Sequence, residues 1–284
     1  MLQRFEVHRA TSVDEAIALR QRYGDDAAVY AGGTELLAAM KLGVARWPHL
    51  IDVKPIAALR GVRASDGHIA VGATTTHWDL ERDATIARTL PAFARLEANV
   101  ANVRVRAAGT LAGNLAFAEP HADPPALLMA LGARILIQSP RGTRALSVDG
   151  FITGMYETAL AGDEIVVAVE IPTPPPGTRA AYLKFQILER PSIGVAIVAV
   201  VHDGRFVGAP AVVVGAVDER PRRVPAAELA GAAIAEAATA DALAEAARRS
   251  VDPVADLAGA ADYKRHLVGV FARRALASIA DGAA

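Results

Sequence analysis

Ala31-Gly32-Gly33-Thr34-Glu35 and, far downstream, Gly109-Thr110-Leu111-Ala112-Gly113-Asn114 are the two stretches on which the reading of this chain turns. Each has the composition of a loop that presses its backbone against an anion. A residue without Cβ reaches positive φ and lets N–H groups approach a phosphate closely, while threonine adds a hydroxyl. The apolar run Ala27-Ala28-Val29-Tyr30 precedes the first stretch and Leu36-Leu37-Ala38-Ala39-Met40-Lys41 follows it. The order is therefore strand, tight loop, helix N-terminus, which supplies unpaired N–H groups and a favourable dipole. The lysine of a P-loop is missing, and so is the G-x-G-x-x-G fingerprint. Either stretch alone reads equally as a glycine turn; the pair implies one ligand held from two sides.

The bulk properties exclude several alternatives. With 284 residues and 52% hydrophobic content the chain can bury a large core. Thirty basic side chains balance thirty-one acidic ones, so no charge footprint points to nucleic acid or to an anionic membrane. The N-terminal residues lack the apolar core of a signal peptide and no apolar stretch approaches a membrane span, so a cytoplasmic location is expected. The absence of cysteine excludes thiolate catalysis, zinc-thiolate sites and iron–sulfur clusters held by this chain. Redox chemistry here needs an organic cofactor.

Outward from the glycine stretches, Phe5 to His8 reads as a strand, and Ser12-Val13-Asp14-Glu15 has capping-box spacing before a helix that ends at Gly24. Another strand lies within residues 47–53, and Lys54-Pro55 changes the chain direction. Asp66-Gly67 predicts a hairpin, Thr76 caps a helix, and residues 85–98 form helix broken at Pro91. Pro172-Thr173-Pro174-Pro175-Pro176-Gly177 interrupts any ladder or helix and reads as a rigid linker. Beyond it we expect three strands over residues 179–187, 195–202 and 209–217, then helices over residues 226–249 and 260–279. The organisation expected is α+β: an N-terminal subdomain (1–54), a central one (55–175) and a C-terminal three-stranded antiparallel sheet with helices (176–284).

Several side chains carry candidate chemistry. Asp123 can accept from a ligand hydroxyl or cap the helix that begins Pro124-Pro125, and the two roles are compatible. Glu119, His121 and Asp123 alternate, but the spacing matches neither zinc nor calcium patterns, so no metal ligands are assigned. His77 is an acid/base candidate with no partner nearby in sequence; a structural role is the alternative. Lys184 sits mid-strand, where alternation points it outward unless it meets an anion. The arginines of residues 220–223 and 273–274 read most simply as solvated surface, with an interface role as the alternative. No catalytic triad can be argued.

The segments 31–36 and 106–116, together with Pro120-His121-Ala122-Asp123, resemble the FAD-binding medium subunit of molybdenum hydroxylases, the group of carbon monoxide dehydrogenase medium subunits and xanthine dehydrogenase FAD domains. The resemblance extends through residues 163–172, Tyr182-Leu183-Lys184-Phe185 and the closing Asp262-Tyr263-Lys264-Arg265-His266-Leu267. It implies a vanillyl-alcohol oxidase/PCMH-type fold with two N-terminal subdomains holding FAD between them. It also implies that Ala31, Gly32, Gly33, Thr34, Glu35, Thr110, Ala112, Gly113 and Asn114 bind the pyrophosphate and ribityl chain, that Asp123 binds a cofactor hydroxyl, and that Lys184 lies close to the flavin. The implied role is an electron-transfer oxidoreductase subunit in a dimer of heterotrimers. A small subunit's [2Fe-2S] clusters would feed the FAD from a large molybdopterin subunit, with NAD, oxygen or a quinone-like compound as acceptor.

Three departures from the family pattern stand out. Ala112 replaces a glycine and would strain the loop if positive φ were required there. Glu119 takes a position where serine is common, and residues 188–194 lack the paired arginines and aspartate usual after the lysine strand. Two other readings remain at this point: a self-contained FAD-dependent reductase, which would turn over alone, and a cofactor-poor scaffold, which would carry no flavin.

Overall fold

The computed structural model describes residues 2–187 and 189–282. The chain opens with β1 (Glu6–Arg9), α1 (Val13–Tyr23), β2 (Ala27–Tyr30), α2 (Leu36–Leu42) and β3 (His49–Asp52). The strands form a parallel sheet in the order β1-β3-β2. Ser12 accepts from the Glu15 N–H and so starts α1 as its capping spacing predicts. The parallel order places the loop after β2 at the same end of the sheet as the end of β3, where Val53 N–H donates to Tyr30 O at 3.1 Å.

A hairpin at Asp66-Gly67 joins β4 (Val62–Ser65) to β5 (His68–Gly72), with Gly67 at φ 81°. Six helices follow: α3 (His77–Arg82), α4 (Ala84–Thr89), α5 (Pro91–Ala98), α6 (Val103–Ala108), α7 (Leu111–Phe117) and α8 (Pro124–Ala130). Then come β6 (Arg134–Ser139), β7 (Gly142–Ser147), α9 (Val148–Phe151), the short pair β8 (Ile152–Gly154) and β9 (Glu157–Thr158), and β10 (Ile165–Pro172). The second sheet has the order β4-β5-β10-β6-β7 and packs with the first sheet's inner face into one core, to which Ile51, Val71, Phe93, Leu111, Leu127 and Val169 belong. Burying such aliphatic and aromatic side chains supplies the main stabilisation.

The last part contains β11 (Thr178–Gln186), β12 (Pro191–His202), β13 (Arg205–Phe206), β14 (Ala211–Gly215), β15 (Arg222–Val224), α10 (Ala237–Arg249) and α11 (Ala261–Ala280). The three long antiparallel strands are the expected ones, and the path β11-β12-β14-β15 adds one short edge strand, with β13 paired to β12. That edge strand holds Arg222 and Arg223, which sequence reads as plain surface. Arg223 stays exposed while bonding Met129 O at 3.0 Å, and the half-buried Arg222 pairs with Asp218, four residues earlier, at 2.7 Å, so these surface arginines also belong to the ladder. Strand β12 is buried on both faces. Ala196 joins the first core, while Val195 and Ile197 join a second core with Leu243, Phe271 and Leu276.

The helix expected from residue 226 begins only at Ala237. A 3₁₀ turn (Ala227–Leu229) and Gly231 at φ 76° come before it, and Gly231 N–H donates to Phe206 O at 3.1 Å. Docking onto β13 therefore outweighs the helix propensity of alanine in this stretch.

Gly32 makes the tightest backbone contact around the first loop: a Cβ there would stand 2.2 Å from Ala108 O and 2.7 Å from Gly109 Cα. We expect Gly32→Ala to lower the unfolding free energy by about 1–3 kcal/mol through overpacking. Gly162→Ala, whose Cβ would meet nothing nearer than 4.0 Å, is expected to cost much less. Urea denaturation of the two variants checks the difference.

Candidate functional site

A cavity of ≈ 380 Å³ lies between the first two sheets, within the size range of small-molecule sites. Its wall includes Ala31, Gly32, Gly33, Thr34, Glu35, Thr110, Ala112, Gly113, Asn114 and Asp123. Among the residues that sequence singles out as cofactor contacts, Lys184 is the exception and stands behind that wall.

The two glycine segments meet backbone to backbone. Gly109 O accepts from His77 N–H at 3.0 Å, Leu111 N–H donates to Thr75 O at 3.2 Å, and Thr76 bridges Thr110. Gly33 adopts φ 71°, which a side chain would oppose. Among the described residues, the N–H groups of Gly32, Gly33 and Thr34 donate to no protein acceptor. Thr110 Oγ1 accepts from Gly113 N–H at 3.0 Å and caps α7, which leaves its proton available to a ligand. Ala112 is helical and buried, outside the positive-φ region, so the strain that its departure from glycine raised does not arise. Asn114 Oδ1 is buried without a partner. A buried acceptor of this kind calls for a donor from outside the chain.

Asp123 is buried and does not cap α8. Its own dihedrals are already helical (φ −73°, ψ −50°), whereas a cap needs extended backbone. Its carboxylate accepts instead from Tyr182 Oη at 2.8 Å and Lys184 Nζ at 3.0 Å. Lys184 also donates to Asn99 O at 2.7 Å, and its side chain is only 12% exposed, so the anion overrides the outward alternation of the strand. Burial pushes the Asp123 carboxyl up; Lys184 and Tyr182 pull it back without restoring its ordinary value. Glu119 and His121 lie together at 3.0 Å, but Asp123 is committed to Lys184, so the three do not form a ligand set.

Arg190 lines the cavity and ties two of its walls. It reaches Glu119 at 2.6 Å and Glu35 at 2.9 Å, while Tyr156 Oη donates to Glu119 at 2.7 Å. Burial alone would raise the Glu119 carboxyl. Hydrogen bonds from His121 and Tyr156 and the Arg190 charge outweigh it and hold the group at about 2. This arginine stands in the segment whose departure from the family pattern left the loop open to question; of residues 188–194, Leu188 lies outside the described residues.

His77 also lines the cavity, buried at the start of α3, with Nδ1 2.5 Å from Glu97 on α5. Burial raises the Glu97 carboxyl, against the opposing pull of His77. Spacing in sequence hides this partner; the Thr76 capping signal, which fixes where α3 begins, was the accessible clue.

A family model described as "FAD binding domain in molybdopterin dehydrogenase" matches residues 3–174, and one described as "CO dehydrogenase flavoprotein C-terminal domain" matches residues 187–279. The chain belongs to this flavoprotein family. It is 36% identical to the carbon monoxide dehydrogenase medium chain of Hydrogenophaga pseudoflava over 277 residues, 96% of each chain. It is 30% identical to the 6-hydroxypseudooxynicotine dehydrogenase complex subunit alpha of Paenarthrobacter nicotinovorans, over 96% of this chain and 93% of that one. The fold matches a structure of carbon monoxide dehydrogenase from Hydrogenophaga pseudoflava with a TM-score of 0.94 at 35% identity, covering 98% of this chain and 97% of that chain. It matches quinoline 2-oxidoreductase from Pseudomonas putida 86 with a TM-score of 0.93 at 30% identity, covering 100% and 99%. The flavoprotein is thus an oxidoreductase subunit of the molybdenum hydroxylase family, and its cofactor is FAD. The cavity suits that group. Unpaired N–H groups and a threonine hydroxyl match an anionic pyrophosphate, and the orphaned Asn114 Oδ1 matches a hydroxyl donor.

Two outcomes follow from these side chains. Lys184→Met leaves Asp123 buried without its cation and is expected to cost about 3 kcal/mol of stability, measured by chemical denaturation. Because the folded-state Glu119 carboxyl is depressed from 4.5 to about 2, its stabilising contribution is complete above pH 4.5 and declines as pH falls toward 2. Glu119→Gln is expected to flatten that part of the acid-denaturation profile.

Proposed function

We propose that this chain is the FAD-carrying electron-transfer subunit of a heteromeric molybdenum hydroxylase. In this reading it works in the cytoplasm within a dimer of heterotrimers, beside a large molybdopterin-containing subunit and a small subunit with two [2Fe-2S] clusters. Bound FAD would supply the redox chemistry that links the small subunit's clusters to NAD, oxygen or a quinone-like acceptor. The absence of cysteine is in keeping with clusters held by another chain.

The residues of this chain bind and orient. Gly32, Gly33 and Thr34 offer N–H groups to the pyrophosphate, with Ala31 and Glu35 flanking them. Thr110, Ala112, Gly113 and Asn114 present a hydroxyl, a helix turn and an amide to the phosphate and ribityl portion. Asp123 receives a cofactor hydroxyl while Tyr182 and Lys184 hold its carboxylate in place, which makes Lys184 a positioning residue. The observation that carries this reading is the backbone contact of the two glycine segments, with unpaired N–H groups on one and the orphaned Asn114 Oδ1 on the other.

Removing flavin from the purified complex is expected to leave substrate reduction of the iron–sulfur clusters intact and to abolish turnover with the external acceptor, with recovery on adding FAD. Acceptor turnover that survives deflavination would sink the electron-transfer role. Steady turnover by this chain alone would favour a self-contained reductase. Asn114→Leu is expected to weaken FAD binding about tenfold, a loss near 1.4 kcal/mol, read by fluorescence quenching of added FAD.

A further inference from the structure

Away from the cavity, the first sheet gathers three ligating groups. Glu6 and His8 are two residues apart on β1 and share one face of the strand. His49 opens β3 and stands in register with Glu6. His8 Nε2 lies 3.0 Å from His49 Nδ1. A Glu6 oxygen lies 3.8 Å from the former and 3.6 Å from the latter. Among the described residues this is the one group of three such side chains whose ligand atoms converge.

The spacings decide between two readings. Two imidazoles at 3.0 Å can share a hydrogen bond, but 3.6 and 3.8 Å are too long for the carboxylate to accept one from either ring. A tetrahedral zinc ion, with ligands at 2.0–2.2 Å, sets its ligand atoms about 3.3 Å apart. The three observed edges straddle that value, and a point about 0.6 Å out of their plane lies about 2.1 Å from all three atoms, which leaves the fourth tetrahedral position free. The ring of Tyr23, at the end of α1, stacks on His49 at 4.0 Å and on His8 at 4.7 Å. It limits the rotation of both imidazoles, so the nitrogens are held facing each other before any ion arrives. His8 and His49 side chains are 20% and 22% exposed and that of Glu6 is 72% exposed, which gives an ion a path from solvent.

We propose that Glu6, His8 and His49 form a binding site for a divalent transition cation of the zinc type. Two imidazole nitrogens and one carboxylate oxygen occupy three positions and solvent takes the fourth. The ion clips β1, an edge strand of the first sheet, to β3. None of the three side chains lines the cavity.

The test is isothermal titration of ZnCl₂ into the full chain, FAD-loaded and free of any affinity tag. One zinc per chain is expected in the wild type, with affinity at least tenfold weaker in Glu6→Gln and in His49→Gln. His202→Gln, which alters an exposed histidine elsewhere, is expected to bind as the wild type does. Zinc is also expected to raise the melting temperature of the wild type and to leave that of His8→Gln/His49→Gln unshifted, because an ion that binds only the native state stabilises it. Glu6 is exposed, so its replacement tests ligation without disturbing packing. Wild-type-like zinc binding by His8→Gln/His49→Gln, or no binding by the wild type at about 100 micromolar zinc, overturns the site.

Discussion

The contact of Gly32 with the backbone at Ala108 and Gly109 is the constraint on which the cavity depends. The loop after β2 and the turn between α6 and α7 approach until no Cβ fits between them. Close approach brings the N–H groups of one loop and the first turn of α7 onto a shared wall. Hydrogen bonds from His77 N–H to Gly109 O and from Leu111 N–H to Thr75 O then fix the second segment to the strand end and helix beside it. Glycine stands where backbone must meet backbone, and polar groups that do not pair with protein among the described residues remain on the cavity wall.

Around that contact the charged groups are arranged in compensated sets. Arg190 joins Glu35 from the first loop to Glu119 from the segment after α7, so opposite walls share one cation. Asp123 is held by Tyr182 and Lys184, both from β11, which couples the C-terminal sheet to the cavity. His121 continues this coupling through Asp256 at 3.6 Å to the buried Lys264 at 2.6 Å. A buried charge costs several kcal/mol unless it is paired, so these partners explain how a cavity lined with carboxylates remains stable.

Local features were legible in the sequence wherever one residue type has one physical role. The Ser12 and Thr76 caps, the Asp66-Gly67 hairpin and the break at Pro91 all depend on a few neighbouring atoms. The failures are equally specific. Residues 226–236 carry strong helix formers, yet docking onto β13 wins over propensity. Asp123 looked suited to a cap, but its backbone enters the helical region one residue early and frees the carboxylate for β11. Alternation pointed Lys184 to solvent, and a buried anion reversed it.

The α+β order, the two glycine-threonine segments, the family and with it the cofactor are readable from the residues in order, because motifs, caps and turns are set by contacts within a few residues. Which distant groups meet emerges from the folded chain alone: His77 with Glu97, Arg190 with Glu35 and Glu119, Lys184 with Asp123, and Glu6 and His8 with His49. Those pairings depend on strand register and sheet packing. Register is a property of the whole folded chain, fixed by burial on both sides of each strand, and no local stretch of residues carries it.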